Sequence, residues 1–282
     1  SYQAQNYFYF YRKKSMTETQ FNTDWRKVSA AIYKKPVDSK IFGSVEIDVT
    51  ELEQFITEKR KSGIKITLTH IITLIIARAI RDEVPELNCF IRRGRVIKRE
   101  SLDAMVSVLV RDREMSSVRI ENLDRMDLKE LGEKLADEIK NLRSGKEDST
   151  MRMKGKISSI PWPFRTWFFN LIKKLTVGWG ISIPSIGLTA NNFGSFVVSN
   201  IGSIGLDTGY PALFPVSNVA MVFVLGGVKK KPVVIGDEIK IRRIMSLSCT
   251  LDHRVVDAIH GGRLFRYIKQ MILSPEELMK KD

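Results

Sequence analysis

The feature that most limits the fold is a helix-length segment that is apolar on most of its sides. It begins near Thr67 or Thr69 and is bounded by Pro85. Its apolar residues are Leu68, Ile71, Ile72, Ile75, Ile76, Ala79 and Ile80. A helix that is apolar nearly all round must be covered on several sides. The segment is therefore predicted to form a central helix.

The length and composition of the chain suit a substantial core around such a helix. The chain has 282 residues, of which 43% are hydrophobic and 28% charged. These values suit one large domain or two small ones and exclude disorder, a collagen helix and a disulfide scaffold. No run of 18 or more apolar residues occurs, so no membrane-spanning helix is predicted.

The two cysteines indicate a reducing compartment. Cys89 and Cys249 fit no metal-ligand spacing such as Cys-x-x-Cys, and two thiols in a chain of this length are too few for a disulfide framework. The first residues lack the apolar core of a secretory signal. A cytoplasmic location and a site without bound metal are therefore expected.

The remaining patterns mix strands with helices. A strand at Val45–Val49 is followed by a helix that opens with a predicted capping box, Thr50 with Glu53, and stops at Gly63. Further helices are predicted at 128–142 and 256–272. Strands are predicted at 90–91, 96–97, 104–110, 195–199, 219–225, 233–235, 238–241 and 245–251. This order favours the α+β class with a large mixed sheet.

A basic segment interrupts this pattern at about 143–190. It contains eight basic and two acidic residues, a net charge of +6 within a chain of +14, and three of the four Trp. We interpret it as an insertion within one domain. Residues 161–175 have the spacing of an amphipathic helix, with Phe164, Trp167, Phe168, Leu171, Ile172 and Leu175 on one face. That face has three interpretations: packing against the domain or a neighbouring subunit, contact with anionic lipid, or a lid over an apolar acyl or lipid acceptor.

Only three histidines are present, and one of them lies where a general base could act. His70 begins the apolar helix and is expected to be a structural or capping residue, and His260 is expected to be exposed or a packing residue. His253 follows an apolar strand and opens a turn into a helix. Such a position holds the imidazole rigidly and leaves one ring nitrogen facing a cleft.

The surroundings of His253 resemble a known signature. The run Asp252-His253-Arg254-Val255-Val256-Asp257 is similar to the Asp-His-Arg-x-x-Asp-Gly ending of the chloramphenicol acetyltransferase-like superfamily, and especially of the 2-oxoacid dehydrogenase acyltransferase catalytic domains. Ala258 replaces the final Gly, which is expected to alter close packing and leave the chemistry intact. The resemblance implies a large mixed sheet flanked by helices, with the active site at a trimer interface.

Two further segments extend the resemblance. The segment from Phe196 to Gly205 is similar to the family segment that supplies a hydroxyl to the site, and Ser199 falls at the matching position. Ser199 could instead bond its own strand backbone, and Ser195, Ser203 and Thr250 are nearby alternatives. Trp25-Arg26-Lys27 is similar to the start of the family domain, where an arginine pairs with the motif aspartate.

The resemblance implies direct acyl transfer between a coenzyme A thioester and an acceptor. His253 would act as general base and Ser199 as oxyanion donor, with Asp257 and its partner Arg26 in structural roles. The expected organisation is an N-terminal extension at 1–23 and a catalytic domain at 24–282 that forms a homotrimer. No lysine-bearing lipoyl domain or linker is recognised, which favours a free-standing enzyme.

The sequence is also compatible with other functions. One is the core subunit of a 2-oxoacid dehydrogenase complex, which would act on lipoyl groups supplied by another chain or a removed domain. Another is a trimeric scaffold without activity. Contact of residues 161–175 with a membrane surface is a further alternative. Nucleic acid is not expected as a partner, because no reading module is present despite the charge of +14.

Overall fold

The computed structural model describes residues 39–109, 115–143, 161, 164–183, 191, 193–214 and 217–281. The predicted extension at 1–23, Arg26 and most of the predicted insertion lie outside these ranges.

A mixed sheet of seven strands organises the described chain, in the order β1-β9-β7-β6-β4-β5, with β8 also beside β9. The pairs β4–β6 and β6–β7 are parallel, and the others are antiparallel. Two further strands, β2 and β3, form a separate hairpin. The strands are β1 (Lys40–Asp48), β2 (Cys89–Arg92), β3 (Arg95–Lys98), β4 (Ala104–Leu109), β5 (Met115–Ile120), β6 (Phe196–Asn200), β7 (Met221–Leu225), β8 (Lys229–Ile235) and β9 (Glu238–Asp252).

Helices flank this sheet, and the one at the centre is the predicted apolar helix. The described helices are α1 (Thr50–Lys61), α2 (Leu68–Asp82), α3 (Leu128–Arg143), α4 (Phe164–Lys173) and α5 (Ala258–Met271). Every residue of α2 from Ile71 to Ile80 is buried, and the helix packs against α3 and α5. Within the described ranges, no helix combines the length and apolar character needed to cross a bilayer. The predicted central helix and α+β class are confirmed.

The predicted capping box at the start of α1 is wrong. Val49 occupies the N-cap position, without a side-chain cap. The Thr50 hydroxyl donates to Asp48 Oδ1 at 2.6 Å and accepts the backbone N–H of Arg243 at 2.9 Å. Glu53 accepts from Arg243 Nε at 2.8 Å. Thr50 and Glu53, which the local pattern predicted to cap the helix together, therefore both bond Arg243 of the distant strand β9.

Other elements also differ from the sequence prediction. Strand β5 was not predicted, because Ser116, Ser117 and Arg119 give it little apolar character. The two strands predicted at 238–241 and 245–251 are one strand of 15 residues. It continues because β8 pairs with its first half and β1 with its second half, and the two ladders meet at Ile244. The last helix begins at Ala258, two residues later than predicted, because Val255 and Val256 donate to Asp252 O in a turn.

The two faces of the sheet differ in what covers them. One face carries the main core, to which Phe196, Val198, Phe223 and Leu251 belong. The opposite face carries a smaller cluster of Val197, Leu213, Val219 and Val222. Since side chains alternate along a strand, Ser199 shares this second face with Val197.

Candidate active site

His253 lies directly after β9 and is fixed by short contacts on its backbone and ring. Its backbone N–H donates to Ser39 O at 2.6 Å. Ring atom Nδ1 lies 3.0 Å from Val256 O and 3.4 Å from Asp257 Oδ1. A proton on Nδ1 that is donated to Val256 O leaves Nε2 unprotonated. With 30% of the side chain exposed, the ring is suited to accept a proton from a bound molecule.

A buried ion pair holds the turn that carries His253. Arg254 Nε donates to Asp252 Oδ1 at 2.9 Å, and the Arg254 backbone N–H donates to the same oxygen at 3.1 Å. The two side chains are 9% and 5% exposed. The Asp252 backbone N–H donates to Ala220 O at 2.8 Å, which ties the turn to the segment before β7. The sequence motif assigns no role to these two residues, although a charged pair flanking a histidine at the end of a buried strand is a usable signal.

Asp257 lies beside the His253 ring and at the start of α5. Its backbone N–H donates to His260 Nδ1 at 3.0 Å, so His260 stabilises the first turn of the helix from inside it. His260 therefore also caps the helix, a role that the sequence did not predict. The predicted partner of Asp257, Arg26, lies outside the described residues. The pairing of Asp257 with Arg26 stays a prediction.

Ala258, which replaces the motif glycine, is exposed on the first turn of α5. Its methyl group therefore has no buried packing role in this chain. Alanine also favours the helix over glycine by roughly 1 kcal/mol. The expected change in close packing is not seen within the described chain.

Among the candidate hydroxyls, Ser199 makes the fewest hydrogen bonds to described residues. Ser195 Oγ accepts the Asp103 N–H at 3.1 Å, Ser203 Oγ donates to Asn200 O at 2.7 Å, and Thr250 Oγ1 donates to Pro211 O at 2.6 Å. No hydrogen bond of the Ser199 hydroxyl is found among the residues that the structure describes, and its side chain is partly exposed. The geometry therefore favours Ser199 as a donor to a bound molecule over a strand hydroxyl bonded to backbone.

Ser199 and His253 do not meet within one chain. Ser199 pairs with Val224, which in turn pairs with Ser248 on β9, whereas Asp252 lies level with Ala220. With about 3.3 Å per residue along a strand and about 4.8 Å between strands, the two backbones are roughly 15–20 Å apart. A base and an oxyanion donor must each approach the reacting group to about 3 Å. Ser199 and His253 of one chain are therefore too far apart to act on the same reacting group.

Other reactive side chains lie outside this site. Burial, with a smaller effect from Arg60, lowers the pKa of His70 to about 4, so this histidine is neutral near pH 7. Burial raises the pKa of Cys89 and of Cys249 to about 12, so both thiols stay protonated. In the described parts of the chain, no group of three or more His, Cys, Asp or Glu is arranged to hold a metal ion.

Comparisons with known proteins show which family the last third of the chain is similar to. Residues 188–280 match the family profile described as 2-oxoacid dehydrogenases acyltransferase (catalytic domain). A dihydrolipoyllysine-residue acetyltransferase component of the pyruvate dehydrogenase complex from Acholeplasma laidlawii is 33% identical over 95 residues, which cover 33% of this chain and 17% of that protein. The match therefore spans under a fifth of that relative's length.

Solved structures show the same fold at low sequence identity. A probable dihydrolipoamide acetyltransferase from Listeria monocytogenes superposes with a TM-score of 0.63 at 17% identity, covering 96% of this chain and 97% of that one. A chloramphenicol acetyltransferase gives a TM-score of 0.51 at 12% identity, covering 92% and 99%. The chain therefore has the chloramphenicol acetyltransferase-like fold, and its residues 188–280 are similar to the catalytic domain of the 2-oxoacid dehydrogenase acyltransferases.

Proposed function

We propose that the protein is an acyltransferase that moves an acyl group between coenzyme A and an acceptor by direct transfer. The observation that carries the proposal is the geometry of His253, whose Nδ1 lies 3.0 Å from Val256 O while the side chain stays 30% exposed. This arrangement suits a general base at the end of a strand. The family match over residues 188–280 supports the same chemistry.

The proposed step needs one base and no covalent acyl-enzyme. His253 Nε2 removes the proton of the attacking thiol, hydroxyl or amine as it bonds to the thioester carbonyl carbon. The carbonyl oxygen becomes negative in the tetrahedral intermediate. Collapse of that intermediate expels the coenzyme A thiolate, which takes the proton from His253. Near neutral pH, an acceptor thiol is mostly protonated. Removal of its proton by His253 makes it a competent nucleophile.

Replacing Ser199 by Ala is expected to lower kcat by about 10²–10³ while leaving KM for the acyl donor nearly unchanged, because an oxyanion donor acts mainly in the transition state. The measurement is thiol release from acyl-coenzyme A with saturating acceptor. Ser203→Ala is the matched control, since Ser203 is exposed and donates to Asn200 O. Equal kcat for the Ser199→Ala variant and the wild type would remove Ser199 from the mechanism.

The separation of Ser199 and His253 in one chain supports a site shared between subunits. In a cyclic homotrimer, each interface would join His253 of one copy to Ser199 of the next. A ring of this kind is closed by heterologous contacts, so the three sites are equivalent. The proposed trimer thus accounts for two half-sites that a single chain leaves apart.

Mixing subunits tests this arrangement directly. His253→Ala and Ser199→Ala chains, each nearly inactive alone, are unfolded together, refolded at a 1:1 ratio and assayed for acyl transfer. Random assembly leaves one intact His253–Ser199 pair in about a quarter of the interfaces, so about a quarter of wild-type activity is expected. Separately refolded chains, mixed without exchange, are the control. Activity no higher than that control would show that both residues act within one chain.

A second candidate acceptor is a lipoyl group carried by another chain or another domain. The Acholeplasma laidlawii relative is named as a dihydrolipoyllysine-residue acetyltransferase, which favours this acceptor. The test adds free dihydrolipoamide and a panel of amines and alcohols to acetyl- and longer acyl-coenzyme A. Transfer to dihydrolipoamide that exceeds transfer to the other acceptors supports the lipoyl role, whereas transfer to another acceptor alone supports a free-standing enzyme. A folded oligomer inactive with every pair would instead indicate a scaffold.

A further inference from the structure

Helix α4 exposes an apolar edge to solvent. Phe164, Trp167 and Leu171 are 65%, 67% and 39% exposed, and their i, i+3, i+7 spacing places them on one side of the helix. Trp179 and Ile181, which follow the helix, are 50% and 43% exposed. Single exposed apolar residues are ordinary, but five large ones in an 18-residue segment indicate an interaction surface.

The segment is held to the protein through its other residues. Thr176 and Val177, in the wide helical turn after α4, are buried, and Thr176 Oγ1 donates to Ile172 O at 2.9 Å. Arg93 Nη2 donates to Trp179 O at 3.4 Å. Gly180 lies so near the Arg92 guanidinium that a Cβ there would be 2.5 Å from it. The β2–β3 turn therefore supports the end of the segment.

Basic side chains accompany this apolar edge. The adjoining segments, residues 89–98 and 164–183, contain seven Lys or Arg and no Asp or Glu. Arg93, Arg95 and Lys174 are exposed. Lys174 Nζ lies 6.0 Å from the centre of the Trp179 ring, which brings the basic and aromatic groups together. The surface is therefore both apolar and uniformly positive.

We propose that this aromatic-basic surface, formed by residues 164–183 and the β2–β3 turn, docks on an anionic lipid bilayer. Trp and Phe enter the boundary between headgroups and acyl chains, and Lys and Arg bind lipid phosphates. Helix α4 is about 15 Å long, so it lies in the plane of the interface. A two-fold symmetric contact with a second copy fits less well, because it would bring two positive surfaces together.

Vesicle sedimentation with the full chain tests the proposal. Wild-type protein is expected to bind vesicles of phosphatidylcholine with phosphatidylglycerol about ten-fold or more better than pure phosphatidylcholine vesicles, and to lose binding as salt rises. The Phe164→Ser/Trp167→Ser/Leu171→Ser variant is expected to lose binding by about ten-fold or more. Arg93→Glu/Arg95→Glu is expected to lose the preference for the anionic vesicles.

A matched control alters equally exposed apolar residues elsewhere. Val234, Ile239 and Ile241 on the β8–β9 hairpin are 72%, 77% and 74% exposed. Their triple Ser variant is expected to bind vesicles as the wild type does. Tryptophan quenching by brominated phosphatidylcholine provides a second readout, which Trp167→Phe is expected to weaken.

Three results would overturn the proposal. The first is failure of the wild type to bind anionic vesicles. The second is equal loss of binding in the α4 variant and the β8–β9 control. The third is binding without quenching, which would indicate attraction between charges without insertion. A change in oligomer size caused by the α4 variant, with no vesicle binding by the wild type, would assign the surface to a protein contact. None of these assays depends on acyl transfer.

Discussion

Replacing His253 by Ala is expected to abolish nearly all acyl transfer, with kcat lowered by about 10²–10⁴, the contribution typical of a positioned acid–base group. Neither of the other histidines has a comparable position: His70 lies in the first turn of α2, where its backbone N–H donates to Thr67 Oγ1, and His260 Nδ1 accepts the Asp257 N–H. The measurement is initial rate of thiol release at saturating donor and acceptor. His253→Gln, which keeps a polar side chain of similar size, is expected to be equally inactive.

Folding and assembly of the variant distinguish loss of a base from loss of structure. The unfolding midpoint and oligomer size of the variant should match those of the wild type. A variant that keeps more than a tenth of the wild-type kcat would exclude His253 as the general base.

Replacing Arg254 by Met is expected to lower the free energy of unfolding by about 3–5 kcal/mol, because it leaves the Asp252 carboxylate buried without its partner. Activity is expected to fall with it, since the same pair holds the turn that carries His253. The measurement is the unfolding midpoint in guanidinium chloride followed by circular dichroism.

An exposed arginine provides the matched control for this variant. Arg263 pairs with Glu83 at 3.8 Å, with side-chain exposures of 42% and 47%. Arg263→Met is therefore expected to cost less than about 1 kcal/mol. The double variant Asp252→Asn/Arg254→Met, which removes both charges, is expected to be more stable than Arg254→Met alone. An Arg254→Met variant as stable as the Arg263→Met variant would show that the buried pair does not hold the turn.

Local sequence patterns determined the parts of this protein that depend on burial along one element. The apolar run Leu68–Ile80 specified a central helix, because each of its sides needs cover, and every residue from Ile71 to Ile80 is buried. The strand before His253 and the Asp252–Asp257 motif likewise placed the histidine at the end of β9. The spacing of apolar residues indicates which sides of an element are buried, and these features could be predicted from that spacing alone.

The tertiary structure decided which side chains distant in sequence bond to each other. Thr50 and Glu53 formed a good local capping pattern, yet both bond Arg243, some 190 residues away. Strand β9 is continuous where two strands were predicted, because β8 and β1 both pair with it at Ile244. No local pattern carries this information, because a side chain exchanges a neighbour for a distant partner only when packing brings that partner within reach.

The candidate site divides in the same way. The sequence proposed His253, Asp257, Ser199 and Arg26 through a resemblance, and the structure describes the first three. The structure shows the Asp252–Arg254 ion pair and a Ser199 hydroxyl without a hydrogen bond among the described residues. The strand register places Ser199 away from His253. The sequence by itself determined which side chains are chemically suited to acyl transfer. The tertiary structure decided which of them are held, which are exposed and how far apart they lie, because those properties depend on contacts between distant segments.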